Sequence, residues 1–155
     1  ETDGGLVTSA PVRLDHIVGA AVDTLRGTAK EREVEIETVL DAVTVIGERP
    51  LLERLANNLL FNAIKYNHSG GTVTATVTRD GAFTVVNTGP AVVPDDVAPL
   101  FEPFRRGSGE RLDYAGGVGL GLTIARSIAT AHGAAIDATA NRDGGLTITV
   151  RLRPA

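Results

Sequence analysis

The strand-like stretches of this chain come in adjacent pairs, each pair preceded by one helical stretch, and this order restricts the fold more than any single residue does. From Leu14 to Glu31 the apolar residues Leu14, Val18, Ala21, Val22 and Leu25 recur at helical spacing. Val34 to Glu37 then alternates apolar and charged as a half-buried strand does, and Val43 to Ile46 predicts a second short strand. Pro50 suits a first helical turn, where its missing N–H has no partner to lose, so a helix is predicted from Pro50 to about Tyr66. The polar stretch from Asn67 to Gly71 ends it. Thr72 to Thr78 and Ala82 to Val86 alternate about Asp80-Gly81, the pattern of an antiparallel hairpin. A last helix is predicted from about Leu120 to His132, stopping at Gly133. Strands from Ala135 to Thr139 and from Leu146 to Leu152 follow, around the turn Asn141-Arg142-Asp143-Gly144-Gly145.

Paired strands oppose the alternating units of a doubly wound parallel sheet. They favour an α+β sandwich of about three helices on a mixed, mostly antiparallel sheet of about five strands. At 155 residues one core buries roughly 70% of the unfolded chain's surface, so neither a disulfide nor a structural metal is needed. The absence of cysteine removes thiolate zinc sites, iron–sulfur clusters and thiol nucleophiles. A net charge of −4 with no basic stripe leaves nucleic-acid binding without its electrostatic source. No run of about 18 apolar residues could span a bilayer, and the first residues lack the basic and apolar regions of a signal peptide. Proline and glycine recur from Gly89 to Gly119, and a loop of that length in a small domain is usually functional; it is expected to form a lid.

Four features carry chemistry. On the second helix Leu52, Leu55, Leu59 and Ala63 form one stripe, whereas Asn58, Asn62 and Lys65 share another face; Asn57 falls about 100° from Asn58 and reads as ordinary surface. Gly116-Gly117-Val118-Gly119-Leu120-Gly121-Leu122 is expected to open the last helix. There, glycine lets backbone N–H groups approach an anion at a helix N-terminus. It fails the dinucleotide fingerprint, because Leu122 stands where a third glycine is needed, and fails the P-loop, because Leu122 replaces the lysine. A flexible hinge is the ordinary alternative for such a cluster. Asn87-Thr88-Gly89-Pro90 follows a strand directly, where asparagine commonly just makes a turn. Leu100 to Arg106 contains two of the four phenylalanines, which could simply pin a loop to the core.

In this order and at these intervals, the four features resemble the motifs of the sensor histidine kinase ATP-binding domain, a member of the GHKL superfamily with the Bergerat nucleotide fold. Asn58-Leu59-Leu60-Phe61-Asn62-Ala63-Ile64-Lys65-Tyr66 resembles the N box and Asn87-Thr88-Gly89 the first glycine box. Phe101 to Phe104 resembles the F box, Gly117 to Leu122 the second glycine box, and Gly145-Leu146-Thr147 the short motif that closes the site. The likeness runs from about Val12 to Arg153. It implies cofactors ATP and Mg²⁺, with the amide oxygen of Asn62 on the metal. It further implies that Asn58 and Lys65 touch the phosphates as the catalytic pair. Gly117, Gly119, Leu120, Gly121 and Leu122 would cradle the phosphate tail, and Phe104, Arg105 and Arg106 would come from the lid. Asn87 and Gly89 would form the adenine end, with Thr147 supporting that contact and Tyr66 packing near the nucleotide.

The same resemblance implies residues 1–11 as a residual linker from a dimerisation and phosphoacceptor domain, residues 12–155 as the ATP-binding domain, and a lid at about 105–118. The reaction would move the γ-phosphoryl of ATP to a histidine of that other domain, for relay to a response regulator. The isolated piece would be monomeric, the full protein a homodimer, and the location the cytoplasmic side of a membrane sensor. Two departures stand out. The family's first glycine box begins with aspartate and has a second glycine, where this chain has Asn87 and Ala91; an amide oxygen still accepts a hydrogen bond but without charge. Members that hydrolyse ATP carry a glutamate base where this chain has Asn58, and an amide takes no proton from water. None of His16, His68 or His132 sits in a phosphoacceptor context; His132 is expected at a helix C-terminus, where its partial charge suits the dipole. The alternative from another class is a nucleotide-binding regulatory module of the same fold with no catalytic duty.

Overall fold

The computed structural model describes residues 9–97 and 112–155. Its elements run β1 (Ala10–Arg13), α1 (Leu14–Glu31), β2 (Glu35–Leu40), β3 (Thr44–Gly47), α2 (Arg49–Lys65), β4 (Thr72–Val77), β5 (Ala82–Asn87), a 3-10 turn (Pro94–Asp96), α3 (Leu112–Ala131), β6 (Ala135–Ala140) and β7 (Leu146–Arg151). Five strands form the main sheet in the order β2-β4-β5-β7-β6. Only β2 and β4 are parallel, because α2 lies in the connection between them; the three other pairings are antiparallel. The α+β sandwich of three helices on a mixed sheet is the one expected.

The helices cover one face of this sheet. Ile36, Val73, Ala75, Val77, Phe83, Val85, Ile148 and Val150 are buried at alternate strand positions, and α2 packs against α1 on one side and α3 on the other. The predicted stripe of Leu52, Leu55, Leu59 and Ala63 is core. Ala56, Leu60 and Ile64 are buried as well, because α2 is the middle helix and has neighbours around most of its circumference. On α1 the buried residues Leu14, Ile17, Val18, Ala21 and Val22 follow the i, i+3, i+4 spacing read from the sequence.

The predicted strand near Val43 joins a different sheet. β3 pairs antiparallel with β1, and the C-terminus extends the pair: Ala155 N–H donates to Thr44 O at 2.8 Å and Pro154 bridges Val45. β1 straddles the expected domain edge at residue 12. The end of α1 also differs from a glycine-marked stop. Glu33 takes φ 60°, and Val34 N–H reaches back to Ala29 O at 2.9 Å, a left-handed helix end usually built on glycine. Contacts to the turn after α2 hold it there: Gly70 N–H donates to Glu33 O at 2.7 Å, and the Ser69 hydroxyl donates to the Glu33 carboxylate.

The last helix begins earlier than predicted, at Leu112, so Gly116 to Gly121 lie inside α3. Its far end matches: Gly133 takes φ 67°, and Ala134 N–H donates to Ala129 O at 2.8 Å. His132 follows the helix as expected. Its Nδ1 lies 2.8 Å from Ile128 O, and its Nε2 accepts the Glu48 N–H at 3.1 Å. The ring thus ties α3 to the start of α2, with Nδ1 facing a carbonyl of the last helical turn.

Asp15 locks the N-terminal end of this assembly. Its carboxylate accepts Arg13 Nε at 2.8 Å and Nη2 at 2.7 Å, together with Val43 N–H at 3.2 Å. The Arg13 hydrogen bond, aided by that backbone N–H and opposed by desolvation, holds the carboxyl down at about 2 from an ordinary 3.8. A depressed carboxyl contributes stability that is complete above about pH 4 and is lost as pH falls through its folded value. Asp15→Asn is predicted to cost about 1–2 kcal/mol at neutral pH and to remove that acid-sensitive part. Urea denaturation of both proteins from pH 7 down to pH 2 checks it; parallel acid losses would locate the effect elsewhere.

Candidate functional site

The polar face of α2 survives burial. Asn62 is only 9% exposed, and Asn58 is half-buried one turn earlier. Among the described residues the Nδ2 atoms of both are buried without a hydrogen-bond partner. An unpaired buried donor costs roughly 1–3 kcal/mol, so two on successive turns of one helix are expensive unless something binds there. Asn57, read as ordinary, behaves so: its side-chain amide donates to Glu53 O at 2.8 Å. Lys65, half-buried at the end of this face, holds its ammonium 5.4 Å from the Tyr66 ring centre and 6.0 Å from that of Phe61.

Asn62 and Tyr66 meet Asn87 in a narrow slot between α2, the ends of β5 and β7, and α3. Leu59, Leu122 and Ile148 supply its apolar walls. Its open volume is about 20 Å³, room for roughly one water molecule. Leu122, fully buried, helps to close it. A larger groove of about 630 Å³ lies elsewhere, between Arg26, Lys30, Glu33, Glu35 and Gly70, and contains none of the predicted site residues.

Asn87, itself 9% exposed, ends β5 on the face toward the helices. Its Nδ2 donates to the Thr88 carbonyl at 2.7 Å, which leaves Oδ1 as its free acceptor. Gly89 follows closely under α2, where an added Cβ would come 2.9 Å from Tyr66 O. Two side-chain amides, neither singled out by the sequence, hold this strand end. Asn67 Oδ1 accepts the Thr88 hydroxyl at 2.6 Å, while Asn67 Nδ2 donates to Thr72 O at 2.9 Å. Asn141 Nδ2 donates to Asn87 O at 3.3 Å, and Asn141 Oδ1 accepts the Thr147 hydroxyl at 2.6 Å. Both are surface-turn asparagines by sequence, and only the tertiary fold brings them here.

Several expectations change. Thr147 does not face the slot: strand alternation turns Leu146 and Ile148 toward it, and the Thr147 hydroxyl is spent on the turn residue Asn141. Gly117, Gly119, Leu120 and Gly121 do not open a helix, so no helix N-terminus points at the slot from them; within α3 their amides are placed for i−4 carbonyls. Leu122 does reach the slot, through its side chain. Phe104, Arg105, Arg106 and most of the expected lid lie outside the described residues. The structure thus brings together Asn62, Tyr66, Asn87 and Leu122, with Asn58 and Lys65 on the same helix and Gly89 beside Asn87.

Known proteins resemble this chain in sequence and in fold. The family described as histidine kinase-, DNA gyrase B-, and HSP90-like ATPase matches residues 47–155. Sensor protein CutS of Streptomyces coelicolor is 42% identical over 155 residues, covering 97% of this chain and 37% of its own length. Signal transduction histidine-protein kinase BaeS of Escherichia coli is 37% identical over 147 residues, covering 92% of this chain and 32% of its own length. The chain thus spans about a third of these curated relatives. Among solved structures, the mycobacterial sensor histidine kinase MprB aligns with a TM-score of 0.80 and 25% identity over 95% of this chain and 98% of that one. Full-length ShkA in complex with AMPPNP aligns at 0.82 and 26% over 99% of this chain and 33% of that one.

The turn beside Asn87 is built on glycine for a steric reason. Gly145 takes φ 84°, and a Cβ there would overlap the Asn87 carbonyl. Gly133, at φ 67°, has nothing within 4 Å of such an atom. Gly145→Ala is predicted to lose at least about 2 kcal/mol, against about 1 kcal/mol for Gly133→Ala, since only the first adds overlap to backbone strain. Urea unfolding of the two variants compares them directly, and equal losses would show that the turn shifts without resistance.

Proposed function

The chain belongs to the histidine kinase-, DNA gyrase B-, and HSP90-like ATPases, as the catalytic domain of a sensor histidine kinase, and we propose that it binds Mg·ATP in the slot between α2 and β5. We further propose that it passes the γ-phosphoryl to a histidine on a helical dimerisation domain, for relay to a response regulator. One observation carries this reading. Asn58 and Asn62 hold buried, unpartnered amide donors on one helix face, and Asn62 shares its slot with the free acceptor of Asn87. Donors for an anion at one end and an acceptor in an apolar cleft at the other suit a nucleotide.

In this reading Asn58 and Lys65 contact the phosphates, and Asn62 turns its amide oxygen to Mg²⁺, a half-rotation that exchanges donor for acceptor. Magnesium supplies charge neutralisation at the phosphates. Among the described residues no three His, Cys, Asp or Glu side chains gather as a metal cage, so the ion would take its anionic ligands from the nucleotide. An imidazole nitrogen would form its bond to the γ-phosphorus as the bond to the bridging oxygen breaks. ADP leaves, and the ring sheds its N–H proton. Positioning and charge neutralisation do most of this work. Asn58, being an amide, provides no base for water, which favours transfer over hydrolysis.

Backbone amides from Gly119 to Leu122 would hold the phosphate tail only after the first turns of α3 open, because a helix spends these amides internally. Arg105 and Arg106 would add lid cations, with Phe104 beside them. Among the described residues no helix is long and apolar enough to cross a membrane; we assign the domain to the cytoplasmic side of a membrane sensor, monomeric by itself and dimeric through the helices of the whole protein.

Calorimetric titration of ATP with Mg²⁺ is predicted to show binding that Asn62→Ala abolishes, with no turnover by the chain alone. Adding a helical histidine domain of a close relative is predicted to yield labelled phosphohistidine. Brisk hydrolysis without an acceptor would overturn the transfer reading, and binding without transfer to any such domain would favour the non-catalytic module.

A further inference from the structure

Asparagine can present a base with either an acceptor or a donor, so Asn87 alone does not determine which purine it reads. The surroundings of Asn87 remove that ambiguity. Its Nδ2 is committed to the Thr88 carbonyl at 2.7 Å. Thr88 is itself anchored: its N–H donates to Thr72 O at 3.1 Å, and its hydroxyl accepts Thr72 N–H at 2.9 Å and donates to Asn67 Oδ1 at 2.6 Å. Asn67 is pinned in turn, its Nδ2 on Thr72 O and its Oδ1 also accepting His68 N–H at 2.8 Å. Gly71 packs so closely that a Cβ there would overlap both Asn67 Oδ1 and Thr88 Oγ1. On the other flank Asn141 Nδ2 takes Asn87 O, and Gly145 N–H takes Pro90 O at 2.9 Å. Nothing in this network offers Oδ1 of Asn87 a donor.

We propose that Asn67 and Thr88 are positioning residues that fix the Asn87 amide as an acceptor only, making the slot selective for a 6-aminopurine over a 6-oxopurine nucleotide. This rests on the nucleotide reading of the same site. A 6-amino group donates to Oδ1. A 6-oxo group would face that oxygen as a second acceptor, and binding it requires the amide to turn and abandon Thr88. Removing the Thr88 hydroxyl frees the peptide from Asn67 and lets the amide turn. A carboxylate at position 87 has no donor to offer and keeps its preference whatever Thr88 does.

The test titrates ATP and inosine triphosphate, each with Mg²⁺, into the chain and four variants. The unaltered protein is expected to prefer ATP by at least about tenfold. Thr88→Val is expected to reduce that ratio several-fold and Thr88→Ser to restore it. Asn87→Asp and the double variant Asn87→Asp with Thr88→Val are expected to keep the preference. Equal binding of both nucleotides by the unaltered protein overturns the proposal, as does an unchanged ratio in Thr88→Val. Should Thr88→Val fail to fold, Asn67→Ala cuts the same anchor, and the ratio in the unaltered protein already decides whether Asn87 is an acceptor only. Binding of neither nucleotide by the unaltered protein overturns the nucleotide reading itself, and is distinguished in this way from ATP binding without discrimination.

Discussion

The burial of α2 governs the rest of the molecule. As the middle helix it packs against α1, α3 and the sheet, so Leu52, Leu55, Ala56, Leu59, Leu60, Ala63 and Ile64 all leave water. Its solvent face is left mainly to Arg49, Glu53, Arg54 and Phe61. Asn58 and Asn62 lie off that face, and among the described residues their buried amide nitrogens have no partner. A leucine or alanine at either position would remove an unsatisfied donor from the core. Asparagine at both positions would put the proposed binding groups on a helix packed against two others, where a side chain keeps its geometry.

The opposite wall depends on hydrogen bonds, because it is a strand end. Beyond Asn87 the backbone leaves the sheet ladder and would be free to wander. Asn67 reaches it from the end of α2 and Asn141 from the turn between β6 and β7. The side chains that would bind and the groups that hold them therefore come from four separate parts of the chain, and the core of α2 and the turn glycines are both conditions for the slot. Its remaining wall is α3, through Leu122.

Helix periods and strand alternation made most of this fold legible. The limits of α1 match the sequence reading, and each predicted strand lies within about three residues, because each element has one dry face and so a regular pattern; β1, too short to show such a pattern, was not predicted. Where a tertiary contact overrides local preference the pattern fails. Glu33 ends α1 in a conformation that favours glycine, and what holds it is the turn at Ser69 and Gly70, more than 30 residues away. Thr147 points away from the slot and reaches Asn87 only through Asn141, whose position the sequence does not reveal. Asn58, Asn62, Asn87 and their order were readable through resemblance. Asn67 and Asn141 were not, since a turn asparagine that satisfies its own loop looks the same in sequence as one that braces a distant strand.

The misread start of α3 has a more instructive cause. Four glycines between Gly116 and Gly121 read as a break, since each costs about 1 kcal/mol in a helix relative to alanine, yet the structure continues the helix through them from Leu112. Propensity thus opposes this helical stretch by about 4 kcal/mol relative to alanine at the four positions. The closed slot of about 20 Å³ is too small for a purine, and the wall that must give way to admit one contains Leu122, directly after the glycines. On the proposed reading the glycine-rich turns adjoin that wall, so opening of the slot and release of the backbone amides would be coupled.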